Sequence, residues 1–243
     1  MLFGREREIE TVAQNLRRNV HTLVFGVPGI GKSAVLREAA ARLNGDASPD
    51  STAVYVSNCS QRTTLLQGAL HGLASEGCAV ESASVGRLRY SDLRNRVVAE
   101  TGKRQLQLLL DHLPKMNRRL EHLLEILESK CTLACAVTAG PYAYHRFFWK
   151  YDKVEVCELS RKSILQWIES DLAQIGYGEE SRIAIAGELY RLAGGNARSI
   201  TITLDEIRNE GVPLSDPIRV SPLYFAARWK HFRALQGGES SAT

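Results

Sequence analysis

Short apolar runs alternate with stretches of helical periodicity over the first two thirds of the chain. The runs have the length and the β-branched composition of buried strands, whereas apolar residues three and four positions apart indicate helices between them. Strands that alternate with helices are typical of a mostly parallel sheet with helices on both faces. The five predicted strands cover residues 21–25, 52–56, 106–110, 132–138 and 153–157.

The helices predicted around these strands follow from the same periodicity. Residues 74–90 are small and polar with two glycines, so we expect a loop there. Ser91 or Asp92 is the expected N-cap of the helix that follows, and Gly102 is its expected end. The predicted helices cover residues 5–18, 32–43, 63–73, 91–100 and 115–129.

The pattern changes after Leu159, where strand signals disappear. Three helices are predicted over 160–175, 179–193 and 196–209, then an extended proline-rich segment and a basic-aromatic helix over 223–235. We expect that helix to pack its aromatic face on its own domain, the alternative being a surface for nucleic acid or a partner. The predicted domains are a core over 1–159, a helical lid over 160–210, a segment and helix over 211–236, and a disordered tail over 237–243.

Composition narrows the class of protein only in part. The 243 residues are 44% hydrophobic and 24% charged, and no apolar run approaches the roughly 20 residues that a membrane-spanning helix needs. We therefore expect a soluble, cytoplasmic protein that does not act on a membrane. Five cysteines without paired CxxC spacing predict buried free thiols. A net charge of +4 neither requires nor excludes nucleic acid.

One segment carries a specific chemical signal. GVPGIGKS matches the phosphate-binding pattern GxxxxGK(S/T), and it lies between a predicted strand and a predicted helix. The glycines let backbone N–H groups turn toward phosphates, the lysine adds a positive charge, and the serine hydroxyl is suited to magnesium. The sequence therefore predicts bound ATP or ADP with Mg²⁺. The predicted binding residues here are Gly26, Val27, Pro28, Gly29, Ile30, Gly31, Lys32, Ser33 and Ala34.

A carboxylate follows the third predicted strand. Asp111 ends an apolar run, and we predict that it binds magnesium together with Ser33. Many ATPases of this architecture have a water-polarising glutamate at the next position, where this chain has His112. The imidazole either accepts a proton or is a weak substitute, so we expect slow or partner-dependent hydrolysis. The alternative is normal turnover with another carboxylate, although Glu100 and Glu121 are not obvious replacements.

Three further polar residues are candidates for contact with the nucleotide. Thr138 ends the fourth strand, where it would face the γ-phosphate or the attacking water, unless it is only a strand-end threonine. Arg146 is a candidate arginine for a neighbouring subunit's phosphate, or a solvated surface arginine. Arg198 follows Gly194, Gly195 and Asn196, which predict a helix stop and an N-cap; it folds over the nucleotide or lies exposed in a plain turn.

Together, FGRE at residues 3–6, the phosphate loop, Asp111, Thr138 and the GGNAR turn at 194–198 resemble the AAA+ superfamily. Within it they look most like the branch of initiator, transposon and STAND signalling ATPases. The resemblance implies a P-loop NTPase fold of class α/β: a five-stranded parallel sheet of order 5-1-4-3-2 between helices, with a C-terminal helical lid. It also implies Phe3 and Arg5 near the adenine, Asp111 as the Walker B residue, Thr138 as sensor 1, Arg198 as sensor 2 and Arg146 as an arginine finger.

Two main hypotheses of function follow. The first is an ATPase that self-associates and acts on DNA in replication initiation or a transposition-like assembly. Clusters of basic residues that could contact phosphates support it; the alternative is that these residues are only solvated helix faces. The second is a STAND-like switch in which ATP or ADP controls binding of a protein partner. A small-molecule kinase is a third alternative, disfavoured because no acceptor-site motif is evident. The basic residues are Arg87, Arg89, Arg94, Arg96, Lys115, Arg118 and Arg119.

Overall fold

Five parallel strands form one sheet. The computed structural model describes residues 4–45, 51–78, 82–138, 145–210 and 220–239. The strand order is β2-β3-β4-β1-β5 and every neighbouring pair is parallel. Read from the other edge, this is the implied order 5-1-4-3-2, so the expected fold class is confirmed. The strands are β1 (Thr22–Gly26), β2 (Ser51–Val56), β3 (Gln105–Leu110), β4 (Thr132–Thr138) and β5 (Asp152–Glu155).

Helices connect these strands and cover the sheet. Apolar side chains from the strands and helices form a continuous core, which includes Leu66, Leu108 and Leu123. A 3-10 helix, Arg146–Lys150, precedes β5. The helices of this part are α1 (Glu6–Arg17), α2 (Lys32–Gly45), α3 (Arg62–Ser75), α4 (Ser82–Val85), α5 (Tyr90–Thr101) and α6 (Arg118–Glu128).

Three helices, α4, α5 and α6, differ from the sequence predictions. The short helix α4 lies inside the stretch that was predicted as loop, and Val85 anchors it because the side chain is buried in the core. Helix α5 starts at Tyr90 with Arg89 as its N-cap, so the predicted cap at Ser91 or Asp92 is wrong. Helix α6 starts at Arg118, later than predicted, because the Asn117 side chain caps it by accepting hydrogen bonds from the backbone N–H groups of Arg119 and Leu120.

The chain divides into two compact units. The sheet unit contains Arg5–Pro28 and Lys32–Val156, and the C-terminal unit contains Gly4, Gly29–Gly31 and the chain from Cys157. The C-terminal unit has its own apolar core, in which Ile168, Leu189 and Leu204 are buried. Its helices are α7 (Arg161–Ile175), α8 (Glu179–Ala193), α9 (Ala197–Glu210) and α10 (Val220–Glu239).

Helix α10 is longer than the sequence predicted. It begins at Val220, so residues 220–222 are helical and not extended, and it continues to Glu239, so residues 237–239 are not a disordered tail. Val220 is buried in the core of the C-terminal unit, which explains the early start. The rest of the predicted extended segment and residues 240–243 lie outside the described residues.

The expected packing of the aromatic face of α10 is only partly correct. Val220, Tyr224 and Ala227 are buried, at the spacing of one helix face. The other aromatic residues point away from that face, so Phe225, Trp229 and Phe232 are 63%, 55% and 50% exposed. Within the described ranges, no helix is both long and apolar enough to cross a membrane.

The cysteines also correct one expectation. All five are free thiols, and four of them are buried as predicted. Cys157 is exposed instead, because it lies beyond the end of β5, where residues no longer pack against the sheet.

Glycine at position 72 gives a test of the packing between α3 and β2. A Cβ atom at Gly72 would overlap with Cγ1 of Val54, whereas a Cβ at Gly187 on α8 would meet no atom within 4 Å. We expect Gly72→Ala to lower the free energy of unfolding by about 1–3 kcal/mol through overpacking. The matched substitution Gly187→Ala should raise it, by up to about 1 kcal/mol, through helix propensity. Urea unfolding of both variants measures this; an unchanged midpoint for Gly72→Ala would contradict the packing.

Candidate functional site

The phosphate-loop segment connects β1 to α2. Gly29 and Gly31 have φ angles of 78° and 107°, a left-handed backbone that other residues rarely adopt. Space is also limited at Gly29, where an added Cβ would lie 3.2 Å from Asn196 Nδ2 and 3.4 Å from Arg198 Cβ within the C-terminal unit. The two inner glycines are therefore required by backbone conformation, and at Gly29 also by close packing.

Lys32 bonds to the carbonyls of its own loop. Its Nζ donates to the Gly26 carbonyl oxygen at 3.0 Å and to the Val27 carbonyl oxygen at 2.9 Å. Partial burial lowers the pKa of Lys32, and the Asp111 carboxylate opposes this shift. The ammonium group is thus held at the loop and experiences the charge of Asp111. The first turn of α2 contains no acidic residue that would neutralise the positive end of the helix dipole.

Asp111 is a buried carboxylate directly after β3. Its backbone N–H donates to the carbonyl oxygen of Val56, which continues the ladder between β2 and β3 by one residue. Its side chain is only 3% exposed. Tyr55 donates from its hydroxyl to Oδ2 at 2.8 Å, and the N–H of His112 donates to Oδ1 at 2.8 Å. Both carboxylate oxygens therefore have a hydrogen-bond donor.

His112 has an unusual backbone. Its φ angle is 51°, which places it in the left-handed region that is uncommon for a residue with a side chain. The side chain is 70% exposed, and Nε2 lies 3.6 Å from Oδ2 of Asp111. The imidazole is thus beside the carboxylate and open to solvent.

Thr138 lies at the carboxyl end of the strands, as Asp111 does. It is the last residue of β4 and pairs with Gly26, the last residue of β1. It is exposed, and it lines a cavity of about 110 Å³ with Leu113, Lys115 and other residues of the sheet unit. Ser33 is the second residue of α2 and is half-buried. The carboxyl ends of parallel strands are where open α/β sheets bind ligands.

Arg146 and Arg198 both have partners on their own unit. Arg146 lies in the 3-10 helix with its side chain 73% exposed, and its Nε donates to Oε1 of Glu121 at 3.3 Å. Arg198 lies near the start of α9, with Nη2 2.7 Å from Nε2 of His231. The predicted helix start is confirmed, because the Asn196 side chain accepts a hydrogen bond from the backbone N–H of Ser199. The roles of both arginines stay predictions.

The N-terminal segment shows a structural role for its arginine. Arg5 is the N-cap residue of α1 and is buried, and its guanidinium pairs with Glu8 at 2.8 Å. Gly4 has a φ angle of 70°, and a Cβ there would lie 2.9 Å from Cβ of Ser163. Phe3 lies outside the described residues. The expected contact of Phe3 and Arg5 with adenine stays a prediction.

Sequence reasoning missed Tyr55. A tyrosine in a strand is ordinarily a packing residue, and nothing local distinguishes this one. The available signal was indirect: strand order 3-2 places the end of β2 beside Asp111. In β2, Val54 and Val56 belong to the core that includes α3, so Tyr55 points to the opposite face. On that face the guanidinium of Arg37, on α2, lies 5.5 Å from the centre of the Tyr55 ring.

The arrangement fits a magnesium nucleotide. The positive φ angles of Gly29 and Gly31 are those that turn backbone N–H groups toward a phosphate. In the sheet unit, the Gly26 and Val27 carbonyls hold the Lys32 ammonium, and the Asp111 carboxylate, whose oxygens keep free lone pairs, lies at the carboxyl end of β3. Oxygen ligands are those that Mg²⁺ prefers. No group of three or more metal-binding side chains occurs among the described residues.

Comparison with known proteins supports this interpretation of the fold. A search of curated proteins finds no match. The Walker-type ATPase PABY2304 of Pyrococcus abyssi is 13% identical, with a TM-score of 0.62 over 99% of this chain and 77% of that chain. Cdc6p of Pyrobaculum aerophilum is 14% identical, with a TM-score of 0.57 over 85% and 61%. AMPPCP-bound DnaA of Aquifex aeolicus is 16% identical, with a TM-score of 0.51 over 87% and 65%.

At these identities the solved structures show a shared fold only. The family is shown by a separate finding: the model of an AAA ATPase domain matches residues 1–134, more than half of the 243-residue chain. The matched residues include the phosphate loop, Tyr55 and Asp111. The predicted AAA+ membership is therefore confirmed: the chain belongs to the AAA ATPase family.

Proposed function

We propose that this protein binds Mg·ATP at the edge of the sheet and hydrolyses it slowly unless a partner stimulates the reaction. One observation carries the proposal: Lys32 is held by the Gly26 and Val27 carbonyls of the phosphate loop and experiences the charge of the buried Asp111 carboxylate. In this proposal Lys32 binds phosphate, and Ser33 and Asp111 hold magnesium. When bound, the ion supplies positive charge that offsets charge developing on the phosphates.

Slow hydrolysis follows from His112. A general base must lie within hydrogen-bond reach of the attacking water, and a glutamate at this position would be ionised at neutral pH. Glu100 is poorly placed to act as this base, and Glu121 already has an ion-pair partner. Glu100 is near the end of α5, which leads into the amino end of β3, away from Asp111, and it bonds to Lys103. Glu121 pairs with Arg146.

An exposed basic cluster supports an action on DNA. Lys115, Arg118 and Arg119 are all exposed around the start of α6, just after Asp111 in the chain. Among the residues that the structure describes, none of the three has an acidic partner within ion-pair distance. Such side chains are free to contact phosphates and release counterions. Arg94 donates to Asn95 and Arg96 donates to Ser84, both of which are neutral groups.

Self-association is the other part of the proposal. The Arg146 side chain is 73% exposed, and it lies beside the exposed Trp149 on the 3-10 helix. An exposed arginine with one weak surface partner can exchange that partner for a phosphate held by a second copy of the chain. This supports Arg146 as the residue that completes a neighbouring site in an ATP-dependent homo-oligomer.

The exposed aromatic residues of α10 favour a second candidate function. Phe225, Trp229 and Phe232 lie on the outer side of the helix, and Trp229 and Phe232 stack with their ring centres 6.2 Å apart. Aromatic residues are enriched in protein interfaces. A nucleotide-dependent switch with a protein partner would use such a surface. A pull-down with ATP-loaded and ADP-loaded protein tests it: partner capture without DNA affinity would favour the switch.

Replacing Lys32 tests nucleotide binding directly. We expect Lys32→Ala to weaken Mg·ATP binding about tenfold or more, because a hydrogen bond to a charged group contributes roughly 1.5–3 kcal/mol. Isothermal calorimetry measures this. Lys130→Ala removes an exposed lysine from the same unit and should leave the affinity unchanged. Equal affinities for wild type and Lys32→Ala would rule out the loop as the binding site.

Replacing His112 tests the cause of slow hydrolysis. We expect His112→Glu to raise the rate of ATP hydrolysis about tenfold or more, because a positioned general base contributes about 10²–10⁴-fold. His112→Asn is the control, since asparagine tolerates the left-handed backbone but is not a base. Phosphate release with saturating Mg·ATP reports both rates. A His112→Glu rate no higher than that of wild type would show that position 112 does not limit turnover.

Replacing Arg118 and Arg119 tests action on DNA. We expect Arg118→Ala/Arg119→Ala to weaken duplex binding and to lower the slope of log affinity against log salt by about 2, one per lost phosphate contact. Fluorescence anisotropy across salt concentrations measures this, with the exposed pair Arg7→Ala/Arg18→Ala as a charge-matched control.

The same preparations give the ATPase rate with and without duplex, and size-exclusion chromatography in ATP and in ADP reports the subunit number. The DNA part of the proposal is wrong if wild-type protein neither binds duplex nor is stimulated by it.

A further inference from the structure

Asp111 has a hydrogen-bond donor from a different strand. The Tyr55 hydroxyl is 2.8 Å from Oδ2, and the two residues are separated by 56 positions in the sequence. Tyr55 pairs in register with Leu109, two residues before Asp111, so both side chains project from the same face of the sheet. The contact is therefore a product of the pairing of β2 with β3 and is fixed by that ladder.

The other donor to Asp111 cannot fix the carboxylate alone. The His112 N–H reaches Oδ1 and belongs to the adjacent residue, so it constrains only one oxygen. A carboxylate with one donor can still rotate about its last torsion, which is broad. The Tyr55 hydrogen bond holds the second oxygen, Oδ2, so the two bonds together set the plane of the carboxylate. Each oxygen keeps a lone pair for a further contact.

Tyr55 is itself held in place. The Arg37 guanidinium from α2 lies over the ring, and β2 is paired along its length with β3. Burial and the bond to Asp111 raise the pKa of Tyr55 to about 12. The phenol is the donor in this contact, because an ionised carboxylate only accepts hydrogen bonds. Arg37, Tyr55 and Asp111 form a row that connects the helix after the phosphate loop to the carboxylate.

We propose that Tyr55 is a positioning residue of the nucleotide site, whose hydroxyl orients the Asp111 carboxylate for the magnesium ion of Mg·ATP. This rests on the proposed function, in which Asp111 holds magnesium. Groups that hydrogen-bond a metal ligand typically change metal affinity by about 10–100-fold when they are removed. Tyr55 touches neither phosphate nor attacking water in this proposal, and acts only through Asp111.

Tyr55→Phe is the direct variant, because it removes the hydroxyl and keeps the ring under Arg37. Tyr151→Phe is a matched control: this buried tyrosine is in the same unit, and its hydroxyl has no hydrogen-bond partner within the described part of the chain. Affinity for a fluorescent ATP analogue is measured in EDTA and then across a titration of MgCl₂. Thermal unfolding without nucleotide checks that each variant is folded.

We expect Tyr55→Phe to need about tenfold more Mg²⁺ than wild type for half-maximal tightening of nucleotide binding. Its affinity in EDTA should equal that of wild type, and Tyr151→Phe should match wild type in both conditions. An unchanged Mg²⁺ requirement overturns the proposal. Equal weakening with and without Mg²⁺ also overturns it, since that result indicates a general structural effect.

A double-mutant cycle with Asp111→Asn distinguishes the positioning role of Tyr55 from the magnesium-binding role of Asp111. If Tyr55 acts through Asp111, Tyr55→Phe should change the Mg²⁺ requirement little when Asp111→Asn is already present. Additive effects would show that the hydroxyl acts elsewhere. Wild-type protein that binds the analogue without any Mg²⁺ dependence would refute Asp111 as a magnesium ligand. Failure of Tyr55→Phe alone, with normal dependence in wild type, refutes only the positioning role.

Discussion

A buried carboxylate is stable only where hydrogen-bond donors and positive charge replace the water that it loses. Asp111 imposes this requirement on the sheet unit, because its side chain is almost fully removed from solvent. Strand β2 must lie beside β3 to bring Tyr55 to one oxygen, and the backbone must turn at His112 to bring an N–H to the other. The ammonium of Lys32 supplies the opposite charge. The strand order, the left-handed backbone of His112 and the ammonium of Lys32 therefore all help to stabilise the buried Asp111 carboxylate.

The parts that sequence predicted well depend on short-range patterns. Strand β4 has the predicted limits 132–138, and α8 has the predicted limits 179–193. Each is a continuous apolar or periodic run with clear stops, and Gly194 takes the left-handed conformation that ends α8. The phosphate loop was equally predictable from the sequence, because its glycines, lysine and serine all lie within residues 26–33. The strand order came from the family resemblance, since periodicity says nothing about which strands are neighbours.

The parts that sequence missed depend on contacts between distant residues. The bond from Tyr55 to Asp111 requires knowledge of the register between β2 and β3. Helix α4 was missed because its small polar residues resemble a loop until Val85 is seen in the core. The outward aromatic residues of α10 were misjudged because helical periodicity shows that two faces differ but not which one a neighbouring helix covers.

The two carbonyl partners of Lys32 affect how any anion is recognised. These carbonyls use two of the three N–H donors of the ammonium, so an incoming oxygen atom either bonds to the third donor or exchanges with a carbonyl. A neutral acceptor gains little from such an exchange, because it merely replaces one dipole with another. A charged oxygen gains more, because its full negative charge attracts the ammonium more strongly than a carbonyl dipole does. With these carbonyl bonds in place, Lys32 would therefore favour highly charged ligands over neutral ones.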